Sequence, residues 1–408
     1  MTPRQWLRLS VRRFQRLLEF LTYGIFDHWV LRNAPLPVAD VARVAVVHLE
    51  LIGDFFLWLP YGQALANTLR DQNREVVLVC SAACADLAER EFSGCRVVAI
   101  DRGRFVRDWR YRASMLRHLR RIAPRETLQP SYPRDGIIMD AVVRALSAPA
   151  LGWAAEFTDR PRVDRAVNRR LYARLLSPLP DVHQHRRHGL YLRDVAGQAV
   201  IGGGAVASNS AAGKAKEGAY LLISPGASRS FRSWPAERFS ALARRILQHK
   251  PGWRCIVVGT AAERELAAGI AADIGSAAVN RAGETNLEEF LRLIAGACLV
   301  LGNDSAAGHI AAFFGTPSVV ALGGGNFGRC YPYDPAEAPV AERPVAVYQR
   351  MDCFGCNWIC CYRTQVCQAY PCLQAITVDA MWDAVQRVLE SSEGTHYSDA
   401  KTEPAVQP

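Results

Sequence analysis

The stretch LVLGNDSAAGHIAAFFGTP, residues 299–317, decides the fold of this chain. An apolar strand over 298–301 runs into the small polar turn 302–305, and an alanine-rich helix follows until Gly315. A strand that opens a helix through small residues leaves backbone N–H groups aimed at one point. The helix dipole adds positive potential at that point. The stretch therefore predicts a phosphate site on a strand–turn–helix unit.

The first turn of that helix supplies the candidate phosphate ligands. The N–H groups of Ser305, Ala306 and Ala307 are available, and Asp304 is expected to cap the helix. His309 lies one turn further along, on the same face as Ser305. A single histidine in an apolar helix is more often a core residue than a catalyst, so both interpretations of His309 stay open.

Strands and helices alternate on both sides of this stretch, which favours parallel sheets with helices on both faces. The predicted strands are 41–49, 75–80, 96–100, 135–139, 219–224, 254–259, 277–280, 298–301 and 318–322. The Gly/Ala/Ser-rich segment 202–218 is predicted to be a flexible linker. The fold class is therefore α/β, with two doubly wound, Rossmann-like units. A ligand cleft is expected between them, outside the carboxyl ends of the strands.

Length and charge narrow the function. A chain of 408 residues, half of them hydrophobic, suits two domains. The formal net charge is +10, and nine arginines fall within 102–125, a segment that we expect to be irregular. Basic surface indicates an anionic partner such as membrane headgroups or an acidic glycolipid. Nucleic acid is the weaker choice, because no zinc finger or RNA-binding aromatic signature is present.

The N-terminal segment 1–37 is basic and amphipathic. It shows no signal-peptide pattern, and no apolar run is long enough to cross a membrane. Apolar residues and arginines alternate at helical spacing, which fits a helix on an anionic membrane surface or a helix packed on its own domain. At the other end, 377–391 is predicted to be a helix and 392–408 a disordered tail.

The first strand is followed by Gly53 and Asp54, and then by a helix predicted over 60–70 from Pro60. Gly53 would permit a tight turn at the end of the strand. Asp54 would then lie at a carboxyl end of the sheet, where a carboxylate can act as a general base on a hydroxyl. Capping of the helix is the competing interpretation of Asp54.

Two further motifs follow strands of the second unit. The segment after 219–224 carries Ser228, Arg229 and Arg232 ahead of Trp234, and arginines give bidentate contacts to phosphate oxygens. A basic surface loop with a structural tryptophan explains the same residues. After 254–259, Gly259 ends a strand and Glu263 lies in the first turn of the next helix. There Glu263 could accept hydrogen bonds from a ribose or complement the helix dipole.

In this order and spacing, the motifs together resemble glycosyltransferase family 9, the ADP-heptose:lipopolysaccharide heptosyltransferases, over about residues 41–390. The matching residues are Gly53–Asp54 with Pro60, Pro149–Trp153, Pro225–Ser228, Arg232–Pro235, Gly259 with Glu263, Gly283–Leu287, Asn303–Ser305, His309 and Gly315–Pro317. The resemblance implies a GT-B fold and an inverting, metal-independent transfer. It places the acceptor on the N-terminal domain and the nucleotide sugar on the C-terminal domain.

The resemblance also assigns roles to individual residues. Asp54 matches the aspartate base, Arg232 the basic residue on the donor phosphates, and Glu263 the acid near the donor ribose. Asp304 and Ser305 match the Asp–Thr that opens the phosphate-binding helix, where the family's usual Asp–Thr–Gly is replaced by Asp–Ser–Ala. The predicted domains are an acceptor-binding domain over 38–201 and a nucleotide-sugar-binding domain over 219–376.

These features predict transfer of heptose or a related sugar from a nucleotide donor, with an ADP-sugar favoured. The expected acceptor is an anionic lipid-linked saccharide such as lipopolysaccharide core. The expected location is cytoplasmic, peripheral on the inner face of the inner membrane. Two alternatives stay open: a GT-B nucleotide-sugar epimerase, for which only His309 is a candidate, and a non-catalytic binding protein.

Six cysteines crowd the segment 353–372, CFGCNWICCYRTQVCQAYPC. They are Cys353, Cys356, Cys360, Cys361, Cys367 and Cys372. Such a set could hold structural zinc or an iron–sulfur cluster, although no second CxxC follows at the usual ribbon spacing. Reduced structural thiols are the favoured interpretation and disulfides the least favoured. No cofactor is expected to be required for the transfer itself.

Overall fold

The computed structural model describes residues 3–132, 134–154, 170–177, 179, 182–197, 218–336, 338, 340, 342–362 and 369–393, with side chains from residue 18 to residue 391. The chain divides into two compact units, Met1–Ile201 and Gly202–Pro408. The predicted linker 202–218 lies almost wholly outside the described residues, as does the predicted tail beyond 393.

The first unit is built on one sheet of six parallel strands in the order β3-β2-β1-β4-β5-β6. Its strands are β1 Asp40–His48, β2 Glu75–Ser81, β3 Arg96–Ile100, β4 Pro124–Gln129, β5 Ala150–Trp153 and β6 Arg174–Leu176. Its helices are α1 Pro3–Arg32, α2 Ile52–Asp71, α3 Ala85–Glu91, α4 Arg102–Arg107, α5 Trp109–Arg120, α6 Met139–Leu146 and α7 Gln184–Ala196. The core strand β1 reads as a continuous apolar run because helices cover both faces of the sheet.

The second unit repeats the same plan, with the strand order β12-β11-β10-β7-β8-β9. Its strands are β7 Tyr220–Ser224, β8 Arg254–Val257, β9 Ala278–Asn280, β10 Leu299–Asn303, β11 Ser318–Ala321 and β12 Val345–Val347. Its helices are α8 Ala236–His249, α9 Arg264–Ile274, α10 Leu287–Gly296, α11 Ala306–Phe314, α12 Pro371–Gln374 and α13 Val378–Glu393. The chain order reverses between β1 and β4 in the first sheet and between β7 and β10 in the second. These are the points where doubly wound sheets bind ligands.

The predicted start of the second helix is wrong. Helix α2 begins at Ile52 and runs through Pro60, which lies inside it. A proline inside a helix removes one hydrogen bond, but the run from Phe55 to Leu59 that precedes it is helical and buried in the core. Gly53 therefore lies within the first helical turn rather than in a tight turn.

Residues 102–135 are also more regular than predicted, since they form α4, α5 and β4. Helix α5 buries Ala113, Leu116 and Leu119 on one face, together with Arg112. The predicted strand over 135–139 is wrong, because these residues form turns and lead into α6. Three strands of this sheet, β4, β5 and β6, were not predicted, and the polar residues of β4 conceal its strand pattern.

Helix α1 packs on the first unit by its C-terminal half. Tyr23 stacks on Trp109 of α5 with ring centroids 4.8 Å apart, and Val30 is fully buried. The carboxylate of Asp27 forms a bidentate ion pair with Arg112 at 2.6 Å for both contacts, and both side chains are buried. Of the helices in the described part of the chain, none is both long and apolar enough to cross a membrane.

Candidate functional site

In the second sheet, the buried side-chain amide of Asn303 joins the end of β10 to the loop that follows β7. Asn303, the last residue of β10, donates from Nδ2 to the carbonyl of Pro225 at 2.7 Å. Its Oδ1 accepts from the backbone N–H of Trp234 at 2.8 Å. Asn303 is fully buried, and its hydrogen bonds fix the 225–234 loop across the end of β10. Its signal in the sequence was an asparagine at the end of an apolar strand.

Gly226 and Glu263 meet in that loop. A Cβ on Gly226 would lie 1.9 Å from Oε1 of Glu263, so a larger residue there would displace this carboxylate. The other oxygen, Oε2, accepts from the N–H of Thr260 at 2.7 Å in a capping box. A Cβ on Gly259 would also clash with this carboxylate, at 2.9 Å. Glu263 thus takes part in a capping box that was not predicted, and its contact with a donor ribose stays a prediction.

Helix α11 opens differently from the prediction. Its N-cap is Ser305, in an extended conformation, and Asp304 precedes the cap. The expected capping by Asp304 is therefore wrong. Within the described residues, no side-chain hydrogen bond caps this helix, and the hydroxyl of Ser305 is buried with no partner. The backbone N–H groups in the first turn of α11, including those of Ala306 and Ala307, are thus available to a ligand, as an anion site requires.

Asp304 stands at the mouth of this site, half-buried. Its Oδ2 accepts from Nδ2 of Asn326 at 3.5 Å. Burial raises the pKa of Asp304 to about 6, against the opposing effects of Asn326, Arg232 and Arg329. A carboxyl group with this pKa can take up a proton near neutral pH and then donate a hydrogen bond to a phosphate oxygen.

Arg232 is positioned by two neighbours, Ser228 and Trp358. It ends a short 3-10 turn, Ser230–Arg232, and its Nη1 donates to the hydroxyl of Ser228 at 3.2 Å. Its guanidinium carbon lies 4.6 Å from the centroid of the Trp358 ring. Partial burial lowers the pKa of Arg232, but nearby Asp304 opposes that effect. Arg229 is exposed beside it.

Trp358 was missed in the sequence, and the structure explains its place. Its backbone is left-handed, with φ of 62°, which is uncommon for a bulky residue. Its ring packs on the glycines that follow β11: a Cβ on Gly325 would lie 2.2 Å from the ring and one on Gly323 2.9 Å from it. On the side of Tyr370, the two rings stack at 5.9 Å. The only sequence signal was the Gly-Gly-Gly after a strand.

His309 lies in the core rather than at the phosphate site. Its Nδ1 is 2.7 Å from the hydroxyl of Tyr333, and its ring stacks on Tyr331 at 4.4 Å. The side chain is 6% exposed. Of the two interpretations of His309, the structure favours that of a core residue, because its polar contact lies inside the fold.

In the first unit, Asp54 lies in the first turn of α2, while Leu51 is the N-cap. Asp54 therefore does not cap α2, although it lies where a carboxylate complements the helix dipole. Asp54 and Arg102 are both close enough to Cys84 to act on its pKa, in opposite directions, while burial raises it to about 12. A groove of about 640 Å³ opens here, at the ends of β2 and β3, and its wall includes Arg102 and Arg107.

A buried His–Glu pair beneath α2 was also missed. His48 ends β1, and its Nε2 lies 3.2 Å from Oε2 of Glu50. Its ring stacks on Trp58 of α2 at 4.4 Å. Burial, with the nearby charges of His48 and Arg187, lowers the pKa of His188 on α7 well below its ordinary value. The signal was a pair of polar residues closing the apolar run of β1.

The arginines of 102–125 do not act as one surface. Arg112 is fully buried and paired with Asp27, whereas Arg102 and Arg107 line the groove. Arg104 is exposed and pairs with Asp108 at 3.4 Å. Of these arginines, Arg102 and Arg107 lie together on one concave surface.

The cysteine segment forms a small cavity next to Trp358. Cys353, Cys356, Cys360 and Cys372 line it, and each is a free thiol. Burial, followed by the neighbouring thiols Cys356 and Cys361, raises the pKa of Cys353. Cys367 lies outside the described residues. In the described part of the chain, no three His, Cys, Asp or Glu side chains are arranged to hold a metal ion.

The sequence model of glycosyltransferase family 9 (heptosyltransferase) matches residues 185–350, the part that carries the phosphate site. The resemblance to glycosyltransferase family 9 is confirmed. With it, the prediction of a heptosyltransferase-like glycosyltransferase is confirmed at the level of the family. No curated protein sequence matches the chain.

Solved structures support the predicted fold of this chain. The structure of E. coli ADP-heptose lps heptosyltransferase II has a TM-score of 0.60 at 17% identity, covering 86% of this chain and 100% of that one. A family 9 glycosyl transferase from Veillonella parvula has a TM-score of 0.65 at 15% identity, covering 88% and 100%. The iron-containing dodecameric glycosyltransferase TibC from E. coli has a TM-score of 0.54 at 14% identity, covering 88% and 78%. The predicted α/β fold of the GT-B class is confirmed.

Proposed function

We propose that this glycosyltransferase is inverting and metal-independent, and that it moves heptose or a related sugar from an ADP-sugar to a lipid-linked saccharide such as lipopolysaccharide core. The observation that carries the proposal is the phosphate site of the second unit. There, α11 begins without a side-chain hydrogen bond at its N-cap among the described residues. Arg232 lies near Asp304, the residue that precedes this N-cap. The E. coli heptosyltransferase WaaC, of the same fold, has been solved with ADP.

The proposed reaction needs a base and a stabiliser of the leaving group. The carboxylate of Asp54 takes the proton from an acceptor hydroxyl as that oxygen attacks the anomeric carbon. The bond from that carbon to the phosphate oxygen breaks, and the nucleoside diphosphate departs with the electron pair. Arg232 and the N–H groups at the start of α11 receive the charge that builds on the phosphate, which is the work a metal ion does in other transferases.

The acceptor is proposed to be anionic, and the enzyme to act at the inner face of the inner membrane. Arg102 and Arg107 line the groove next to Leu51, the N-cap of the helix that carries Asp54. Two guanidinium groups at one groove suit phosphate or carboxylate groups. Replacing both by glutamine should raise the acceptor KM by about tenfold or more and leave the donor KM unchanged. An unchanged acceptor KM would contradict the proposal that the acceptor is anionic.

The epimerase alternative loses its candidate residue, because His309 is buried against Tyr331 and Tyr333. The cysteines are proposed to be reduced structural thiols. Structural zinc or an iron–sulfur cluster is the competing proposal, suggested by the crowding of thiols and by TibC, which is described as iron-containing. The described residues do not form a ready metal set, so no step of the transfer is assigned to a metal. Metal analysis of the purified protein and of Cys353→Ser decides between them.

The first experiment is a thermal-shift titration with ADP, ADP-heptose, UDP and GDP. Stabilisation by the ADP species that Arg232→Ala abolishes would support the donor class. The control is Arg264→Ala, an exposed arginine on α9. Stabilisation by UDP or GDP alone would change the proposed donor nucleotide and leave the fold assignment unchanged. No response to any nucleotide would contradict the proposal and favour a binding protein.

A further inference from the structure

Helix α1 has two faces with different surroundings. One face packs on α5, through the stack of Tyr23 on Trp109, the ion pair of Asp27 with Arg112 and the buried Val30. Because this face is fixed to the first unit, the direction of the opposite face is fixed as well. That opposite face is therefore a surface of the folded protein and not of a loose tail.

The opposite face carries a row of exposed apolar side chains. Leu18 is 48% exposed, Leu21 44%, Ile25 71% and Trp29 58%. Their steps of three, four and four residues keep them within an arc of about 80° on a helix of 3.6 residues per turn. Single exposed apolar residues need no explanation, but an aligned row on a helix marks an interaction surface.

The charge of α1 says which partner fits this row. Five arginines, at positions 4, 8, 12, 13 and 16, precede the first acidic residue of the helix, Glu19. The other acid, Asp27, is already neutralised by Arg112. The helix therefore presents an apolar row together with uncompensated positive charge, which is the combination found in helices that lie on anionic membranes.

A second copy of the chain fits less well. Steps of three and four residues also suit the seam of a coiled coil. A copy of α1, however, would bring five more arginines and no acidic residue before Glu19 to pair with them. Anionic phospholipids complement the arginines, and their acyl chains take up the apolar row. Trp29 suits the headgroup level, where tryptophan is enriched.

We propose that α1 docks in the plane of an anionic bilayer, with Leu18, Leu21, Ile25 and Trp29 entering the headgroup–acyl boundary and the net positive charge of the helix drawn to the anionic lipid surface. The inference deepens the membrane placement within the proposed function and rests on it. It assigns the contact surface, and the first unit is carried on the opposite face of the same helix.

The test is co-sedimentation of the full chain with vesicles of phosphatidylcholine, with and without phosphatidylglycerol, in the absence of donor and acceptor. The wild-type chain should bind the phosphatidylglycerol vesicles and release with salt. The double variant Ile25→Asp/Trp29→Asp should bind about tenfold more weakly or less. The control is Val279→Asp, an exposed apolar residue of β9 in the second unit.

A second, independent variant reverses charge without touching the apolar row: Arg12→Glu/Arg13→Glu should lose about tenfold in partition to phosphatidylglycerol vesicles. Equal binding of both double variants and wild type would overturn the proposal, as would equal binding to pure phosphatidylcholine. Wild type that ignores vesicles but forms a dimer, which Ile25→Asp/Trp29→Asp dissolves, would assign the row to a second copy. Donor thermal shifts measured on the same variants report separately on the proposed transfer.

Discussion

The two units carry the same sheet but different chemistry at its carboxyl edge. In the second unit, α11 begins without a side-chain cap among the described residues, and Arg232 stands beside it. In the first unit, the helix that follows β1 begins with Asp54 in its first turn, above the buried pair of His48 and Glu50. The edge of the second unit thus offers backbone N–H groups and an arginine, and the edge of the first unit offers the carboxylate of Asp54. Topology thus fixes where a site lies, and a few side chains decide what it does.

The largest effect is expected from removing the carboxylate of the first unit. Asp54→Asn should lower the transfer rate about 10²–10⁴-fold, because the acceptor hydroxyl loses its base. Stabilisation by donor should be unchanged, since the phosphate site is in the other unit. Rates are measured at saturating donor, with Asp71→Asn, exposed at the far end of the same helix, as the control. A full rate for Asp54→Asn would remove Asp54 from the chemistry.

The matching change in the second unit is Arg232→Ala. It should cost about 10²–10³-fold in kcat, because charge on the leaving phosphate loses a preorganised donor. Unlike Asp54→Asn, it should also weaken the thermal shift by ADP. The comparison between the two edges breaks down if both variants lose ADP binding equally, or if Arg264→Ala behaves like Arg232→Ala.

A smaller effect separates the arginine from its support. Trp358→Leu keeps an apolar side chain beside the glycines but removes the ring face under the guanidinium. Donor KM should rise roughly tenfold with a lesser change in kcat, and Trp358→Phe should restore part of it. Circular dichroism melting of each variant shows whether the fold is kept. An unchanged donor KM in a folded Trp358→Leu protein would make the ring a packing residue only.

The smallest effect concerns stability and is confined to the second unit. Burial raises the pKa of Asp304 from 3.8 to about 6, so the folded chain binds more protons than the unfolded chain between those values. The free energy of unfolding therefore falls as pH rises from about 4 to about 6. Asp304→Asn should be more stable at pH 7 by about 1–2 kcal/mol, after allowance for its partial exposure.

The gain for Asp304→Asn should shrink as pH falls through that window, because the wild-type carboxyl is then protonated too. Urea unfolding across the pH range measures it. Asp383→Asn, at an exposed aspartate of α13, should show no such dependence. A gain that is constant with pH would place its origin outside the titration of Asp304.

The phosphate edge was readable from sequence because its signals are local. Gly226, Gly259 and Arg232 lie within a few residues of their strands, so spacing alone predicts their neighbourhood. Asn303 was visible only as a polar residue at a strand end, because its partners Pro225 and Trp234 come from 69 to 78 residues away. The role of each residue toward a donor stays a prediction.

The first unit was harder because its decisive contacts are distant. Arg112 was assigned to a solvated basic stretch, yet it is buried, since its partner Asp27 lies 85 residues earlier. Helix α5 was not predicted, because its arginines masked its apolar face in the sequence pattern. In α2, Pro60 gave a local signal for a helix start that burial of the preceding residues overrode.

The ion pair of Asp27 with Arg112 makes the N-terminal helix a structural part of the first unit. A protein shortened to begin after Arg32 would lose the carboxylate that pairs with Arg112 and would expose the apolar core surface on which Val30 packs, so it should be less stable. Shortened chains designed for easier crystallisation or expression should therefore keep α1 at least from Leu18. Solubility is better sought by substituting the exposed row than by cutting the helix away.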